Sequence, residues 1–151
     1  MKKFLYICLP AGLVVYLFDR IIKIFLLKNP NYTWDFLNHL LGLHLATNYG
    51  IAFSLTLNKY LIIVVSVITI LILFLAFNQF LYQKKYHLAS ASYLIILGAI
   101  SNLADRFRFG FVVDYIDVSF FTVFNLADCL ITVRVIIFLI DLFFLNRVDK
   151  K

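Results

Sequence analysis

Long apolar runs broken by short polar segments make up most of this chain, and their lengths predict its elements. Four runs stand out, at residues 4–27, 60–82, 88–103 and 123–145. About 20 helical residues, at 1.5 Å each, cross the hydrocarbon of a bilayer. The third run is short, so its helix is expected to continue to Asp105 or the bilayer to thin around it. The first run is interrupted near its far end by Asp19, Arg20 and Lys23. Between the runs lie two more polar segments, 28–59 and 105–122. Within the first of these, residues 44–54 partly alternate apolar and polar positions, and Asn48 and Gly50 mark a turn. A small extracytoplasmic strand or hairpin is predicted there.

Composition strengthens the membrane reading. The chain is 64% apolar with a mean hydropathy of +0.95, whereas soluble domains are roughly half apolar. A single integral membrane domain over 1–151 is expected rather than a soluble helix bundle. The basic, apolar start imitates a secretory signal but lacks a small-residue exit, so it is expected to remain as a span. Cys8 and Cys129 each lie within an apolar run, which argues for small-hydrophobe roles rather than a disulfide.

The net charge of +6 is localised. Lys2, Lys3, Lys84, Lys85, Arg147, Lys150 and Lys151 supply the excess, opposed only by Asp149. By the positive-inside rule, both termini and the central loop are cytoplasmic and the segments 28–59 and 105–122 lie outside. No stripe of basic and aromatic residues is present for a nucleic-acid strand.

The chemistry gathers between Ser101 and Thr132. All eight acidic residues are Asp, and Asp105, Asp114, Asp117 and Asp128 fall in this stretch. Charges beside hydrocarbon are costly unless paired or solvated. Asn125 and Asp128 share a helix face, as do Asn102, Asp105 and Arg106. Asp114 is placed in the loop between, able to fold back toward Asp128. Two close carboxylates do not both ionise cheaply. One retains a proton while the other stays charged, and such a pair activates water and protonates a leaving amine without metal or cofactor. A structural reading stands beside this: Asn102, Asp105 and Arg106 as a helix cap and interfacial pair, Asp128 as a helix-start residue.

Other chemistries fit less well. His39, His44 and His87 show no spacing for a Cys/His pair with Cys129, and zinc-type spacings are absent. Ser54 and Lys59 resemble a Ser/Lys dyad but fall on opposite faces of a strand. Two rivals keep the acids in use. A Mg²⁺-dependent phospholipid headgroup transferase would hold metal and phosphate with Asp105, Asp114 and Asp117. A small membrane proton or ion carrier would use Asp19 and Asp128.

Five blocks, taken together and in order, resemble the bacterial lipoprotein signal peptidases (signal peptidase II). Asp19 and Lys23 are similar to the family's D-x-x-[ST]-K. Asn48-Tyr49-Gly50-Ile51-Ala52-Phe53-Ser54 is similar to N-x-G-x-A-F-S. Asn102-Leu103-Ala104-Asp105-Arg106 is similar to N-L-x-D-R. Gly110 with Val112-Val113-Asp114-Tyr115-Ile116-Asp117 is similar to G-x-V-V-D-[FY]-I-D, and Phe124-Asn125-Leu126-Ala127-Asp128 to F-N-x-A-D. The resemblance spans essentially the whole chain. It implies an all-α membrane protein of four transmembrane helices with a small extracytoplasmic β-sheet, formed by 28–59, that cradles substrate. It implies an intramembrane aspartic endopeptidase of the bacterial inner membrane, a monomer without metal or cofactor, surrounded by membrane lipid. Its substrates would be prolipoproteins, cut just before a Cys that carries diacylglycerol. Asp114 and Asp128 would be catalytic. Asn102, Asp105, Arg106 and Asn125 would position them and support the substrate backbone, and Asp19, Lys23 and Asn48 would complete the polar shell.

The chain departs from the pattern at several positions. Ile22 replaces Ser or Thr, Leu97 and Ser101 replace Gly, Thr122 replaces Pro, Cys129 replaces Ser, and Arg134 stands at a usually small position. Arg134 lies seven residues before Asp141, roughly on the same helix face.

Overall fold

The computed structural model describes residues 2–36, 40–51, 55 and 57–148. His39, Ala52, Phe53, Ser54 and the terminal Asp149, Lys150 and Lys151 lie outside the described residues, as does the side chain of Asp141. Four helices and three strands follow in the order α1 (Lys2–Lys28), β1 (Thr33–Phe36), β2 (Leu41–Asn48), α2 (Lys59–Tyr82), α3 (Tyr86–Arg108), β3 (Val112–Val118) and α4 (Leu126–Val148).

The expected fold class is met in its coarser form, a mostly helical chain with a small antiparallel sheet. Among the described residues, two helices, α2 and α3, are long and apolar enough to cross a membrane. α2 is apolar on every side, with a mean hydropathy of 3.0, and Ile62 is its one buried residue among those described. Such a helix in water would be unstable, so its surroundings must be apolar. Asn58 starts it, its side-chain oxygen accepting the N–H groups of Tyr60 at 2.9 Å and Leu61 at 3.3 Å.

α3 is the central element, packed against α1, α2 and α4. It runs to Arg108, beyond the apolar run that announced it, and so carries Asn102, Asp105 and Arg106 on its last turns. Small buried residues (Ala89, Ser90, Ala91, Ser92, Gly98 and Ser101) let its neighbours approach closely. At Gly98, an added Cβ would lie 2.5 Å from the Ala127 carbonyl oxygen and 2.8 Å from the Ile131 side chain. This contact sets the start of α4 against α3. Leu97, in place of a small residue, packs against Gly12 of α1, so bulk on one helix is matched by its absence on the other.

Gly110, at φ +86°, ends α3 and turns the chain into β3. Asp114 therefore stands on a strand, where the sequence pattern placed it in a loop. The alternation was hidden because Val112, Val113, Asp114 and Tyr115 are all buried, leaving no exposed polar face to read. The strand order is β1-β2-β3, antiparallel throughout. The β2–β3 register shifts between Leu43 and Ala46, and beyond the shift Ala46 pairs with Asp114 and Asn48 with Val112. Of the strand or hairpin expected within 44–54, the described residues give the end of one strand, β2, which begins earlier, at Leu41, and stops at Asn48; its hairpin partner β1 lies before that window. A backbone bridge between Ile116 and Phe124 then ties β3 to the segment that opens α4.

Replacing Gly98 by Val is expected to destabilise the protein by about 2 kcal/mol, because backbone and a β-branched side chain meet the new methyls on α4. The measurement is thermal unfolding in detergent. Wild-type stability would show that α4 is free to move away from α3.

Candidate active site

Four segments distant in sequence meet where α3 ends, β3 runs and α4 begins. Asn125 is the N-cap of α4, and its Oδ1 accepts the Asp128 N–H at 2.9 Å. The Asp128 Oδ2 in turn accepts the Asn125 N–H at 3.3 Å. This is a reciprocal capping box, so the structural role foreseen for Asp128 is real. It leaves Asp128 Oδ1 available, and that oxygen accepts from Asn102 Nδ2 at 2.8 Å.

Asp114 faces the same point from β3. Its Oδ1 accepts from Asn125 Nδ2 at 2.7 Å and its Oδ2 from Asn48 Nδ2 at 3.0 Å. The Asn48 Oδ1 accepts the Gly50 N–H at 2.9 Å, which fixes the amide so that its nitrogen turns to Asp114. The Asn102 Oδ1 accepts from Asn125 Nδ2 and from Lys23 Nζ, each at 3.1 Å. Every amide in the set thereby has its orientation fixed by a second partner.

Behind the two carboxylates lies a buried charge cluster. Lys23, wholly buried, sits 3.0 Å from Asp19 Oδ2 and 2.8 Å from Asp105 Oδ2. Arg20 Nη1 donates to Asp105 Oδ1 at 2.5 Å and to the Ser101 carbonyl at 3.2 Å. The Ser101 hydroxyl donates to Asp19 Oδ2, and Tyr115 donates its phenolic proton to Asp19 Oδ1 at 2.9 Å. Burial, then the charge of Asp19, push the Tyr115 phenol above its ordinary range, so it stays a donor.

Arg106 takes a different course. Its Nη2 donates to the Gly50 carbonyl at 2.9 Å, tying the end of α3 to the turn after β2, and its side chain lines a cavity. That cavity measures about 520 Å³ and is bordered by Asn48, Asn102, Asp114 and Asp128 on one side. Ile51, Val112, Phe121, Phe124, Ile131 and Val133 give it apolar walls.

All nine residues expected at the site are in this assembly. Asp114, Asp128, Asn102, Asn125, Asn48 and Arg106 border the cavity or bond its carboxylates. Asp19, Lys23 and Asp105 form the support behind. The trio Asp105, Asp114 and Asp117, expected of a Mg²⁺ site, is not brought together. Asp105 is engaged by two cations, and Asp117 turns away from Asp114 along the strand toward His44 Nδ1, 3.7 Å off. Among the described residues, no group of three or more His, Cys, Asp or Glu side chains could hold a metal. Arg20, Ser101 and Tyr115 were missed. The signal for Arg20 is a charge inside an apolar run, that for Ser101 a polar residue where the pattern has Gly, and that for Tyr115 its place beside Asp114 in a motif block. Arg134 donates to the Cys8 Sγ at 3.6 Å.

Comparison with known proteins agrees with this geometry. The family model for signal peptidase II matches residues 11–144. The chain is 35% identical over 131 residues to a lipoprotein signal peptidase of Moorella thermoacetica, covering 85% of this chain and 87% of that one. It is 38% identical over 141 residues to the Bartonella tribocorum protein of the same name, covering 88% and 81%. A solved bacterial membrane enzyme superposes with a TM-score of 0.78 at 25% identity, covering 95% of this chain and 90% of that one. A second does so with a TM-score of 0.72 at 28% identity, covering 89% and 91%. Family, fold and site together define a bacterial membrane protease of the aspartic class. The chain belongs to the signal peptidase II family. Its function is that family's, a hydrolase of lipoprotein processing, and the phospholipid-transferase and ion-carrier readings are not favoured.

Asp114 has a consequence for pH. Burial foremost, and the neighbouring charge of Asp128, raise its carboxyl to about 6 against the bonds from Asn48 and Asn125. Its folded-state value lies above the unfolded one, so its stabilising effect is present at low pH and lost as pH rises through about 6. Asp114→Asn removes that ionisation. The melting temperature of the variant relative to wild type should increase by several degrees between pH 5 and pH 8. A difference independent of pH would show that Asp114 ionises as freely as a surface carboxylate.

Proposed function

We propose that Asp114 and Asp128 are the catalytic pair of an intramembrane endopeptidase that removes signal peptides from diacylglyceryl-modified prolipoproteins, cutting before the lipidated Cys. One observation carries the reading. The two carboxylates border one cavity, each held by two hydrogen bonds from amides or backbone, and among the described residues neither is neutralised by a salt bridge. Asp19 and Asp105, by contrast, are each paired with a buried cation. Of these four acids, Asp114 and Asp128 are the pair that would share a proton.

The chemistry follows from that shared proton. The ionised carboxylate takes a proton from water, and the hydroxyl oxygen bonds to the scissile carbonyl carbon. The protonated carboxyl gives its proton to the carbonyl oxygen. When the tetrahedral adduct collapses, the C–N bond breaks and the amine leaves with a proton from the pair. Asn102, Asn125 and Asn48 keep the carboxylates in place during the exchange. Arg106, bonded to the Gly50 carbonyl at the cavity wall, holds the turn against which substrate backbone would lie. The apolar walls suit a lipidated chain, since each CH₂ buried contributes about 0.8 kcal/mol.

The membrane arrangement proposed is four spans, with α1 and α4 joining α2 and α3. Both termini and the Lys84 and Lys85 loop are cytoplasmic, and the site lies near the outer face of the inner membrane. The charge distribution supports it. So does the wide exposure of apolar side chains on α1 and α4, such as Phe18, Ile21, Val133 and Ile136. The enzyme works as a monomer, needs no cofactor and binds no nucleic acid.

Asp114→Asn and Asp128→Asn are each expected to lower cleavage of a lipidated prolipoprotein peptide by at least a thousandfold, with the double variant little worse than either. Cleavage should persist in EDTA. A single variant with near-wild-type turnover and intact folding would falsify the pair. Reporter fusions after Lys84 should read cytoplasmic and fusions after Arg108 external. The opposite result would put the cavity on the wrong side for exported substrate.

A further inference from the structure

The support behind the catalytic pair contains a residue that the motif blocks do not include. Arg20 lies on α1 between Asp19 and Lys23, and its side chain is 15% exposed, while Asp19, Lys23 and Asp105 are wholly buried. Two carboxylates and two cations meet there, so the cluster is neutral. Without Arg20 it would carry one net negative charge next to a pair that must itself hold one negative charge and one proton.

The bonds show how the balance reaches the site. Asp105 offers Oδ1 to Arg20 and Oδ2 to Lys23 and to the Val113 N–H. Because Arg20 satisfies one side of Asp105, the Lys23 ammonium can spread over Asp19, Asp105 and the Asn102 Oδ1. That last contact faces the Asn102 nitrogen toward Asp128. We infer that Arg20 is a positioning residue for the catalytic reaction: by balancing Asp105 it keeps Lys23 on Asn102 and keeps the charge around the carboxylate pair neutral. Ser101 belongs to the same device, since its hydroxyl accepts from Arg20 and Lys23 and donates to Asp19. The inference rests on the assignment of Asp114 and Asp128 as the pair.

The charged and titratable groups around and behind the pair set the comparison. They are Asp19, Arg20 and Lys23 on α1, Asp105 and Arg106 on α3, Tyr115 on β3 and Cys129 on α4. Arg20→Gln changes their sum by one unit of charge and leaves the others in place. Extra negative charge nearby disfavours further ionisation, so the pair should release its proton at higher pH.

The experiment is the pH dependence of kcat for a lipidated prolipoprotein peptide in detergent, with melting temperature measured alongside. Arg20→Gln is expected to lower kcat at least tenfold with KM within twofold. It should move the midpoints of the profile upward by roughly half a pH unit or more. Arg20→Lys should return the midpoints toward wild type. Arg20→Gln with Asp105→Asn, which restores neutrality without restoring the bond, should return the midpoints even where the rate stays low. If Arg20→Gln fails to fold, the neutral double variant must fold with wild-type midpoints, and an unfolded double variant overturns the inference. A folded Arg20→Gln that loses rate or stability with midpoints unmoved shows Arg20 to be a brace alone, and the inference fails. Full activity in Asp114→Asn or Asp128→Asn would instead overturn the pair, so the two failures are distinguishable.

Discussion

The side-chain amide of Asn125 is the joint on which the site depends. It is wholly buried, caps α4 through the Asp128 N–H, and reaches across to Asp114 on β3 and to Asn102 on α3. A helix N-cap alone contributes about 1 kcal/mol. Here the same group also satisfies acceptors that would otherwise be orphaned in a buried place, at about 1–3 kcal/mol for each group left unpaired. Folding and chemistry therefore use one set of atoms. The capping box sets the register of α4, and that register brings Asp128 to the cavity that Asp114 borders.

Much of this was legible in the sequence, for a physical reason. Hydrocarbon makes polar residues expensive, so their positions within apolar runs carry unusual information. Spacing places Asn102, Asp105 and Arg106 on one helix face and Asn125 with Asp128 on another, the family pattern adds Asp19 and Lys23, and each is found at the site. What failed was the identification of strand β3. A short strand buried on both sides has no alternation, and Gly110 ahead of it reads as a loop signal. Partner choice was also hidden. Nothing in the spacing says that Asp105 is bonded by Arg20 and Lys23 or that Asp117 turns toward His44, because those depend on how α1 and the sheet pack against α3.

The packing accounts for two of the departures from the family pattern, Leu97 and Ser101. Leu97 lies against Gly12 of α1 beside Leu94 and Tyr93, and Gly98 supplies the close approach to α4. Ser101, in place of a glycine, is no bulk without purpose. It is buried, and its hydroxyl bonds Asp19, Arg20 and Lys23. The hydroxyl absent at Ile22 on α1 is in effect supplied from α3. Nothing in the structure explains Thr122.

Two acidic and two basic side chains packed together beneath Asp114 and Asp128 are a costly foundation. Removing charges from water costs several kcal/mol per ion, and pairing recovers this only with good geometry. An apolar filling would often be as stable. What ion pairs provide that methyl groups do not is direction. Lys23 can fix which end of the Asn102 amide faces Asp128 because it is charged and because Asp19 and Asp105 fix its own position. A leucine in that place would leave the Asn125 amide alone to hold the Asn102 oxygen, and an Asn102 amide turned the other way would offer its oxygen to a carboxylate. The cluster thus converts stability into orientation. It also separates the carboxylates into two kinds: Asp19 and Asp105 lie beside cations, and Asp114 and Asp128 are held by side-chain amides and a backbone N–H.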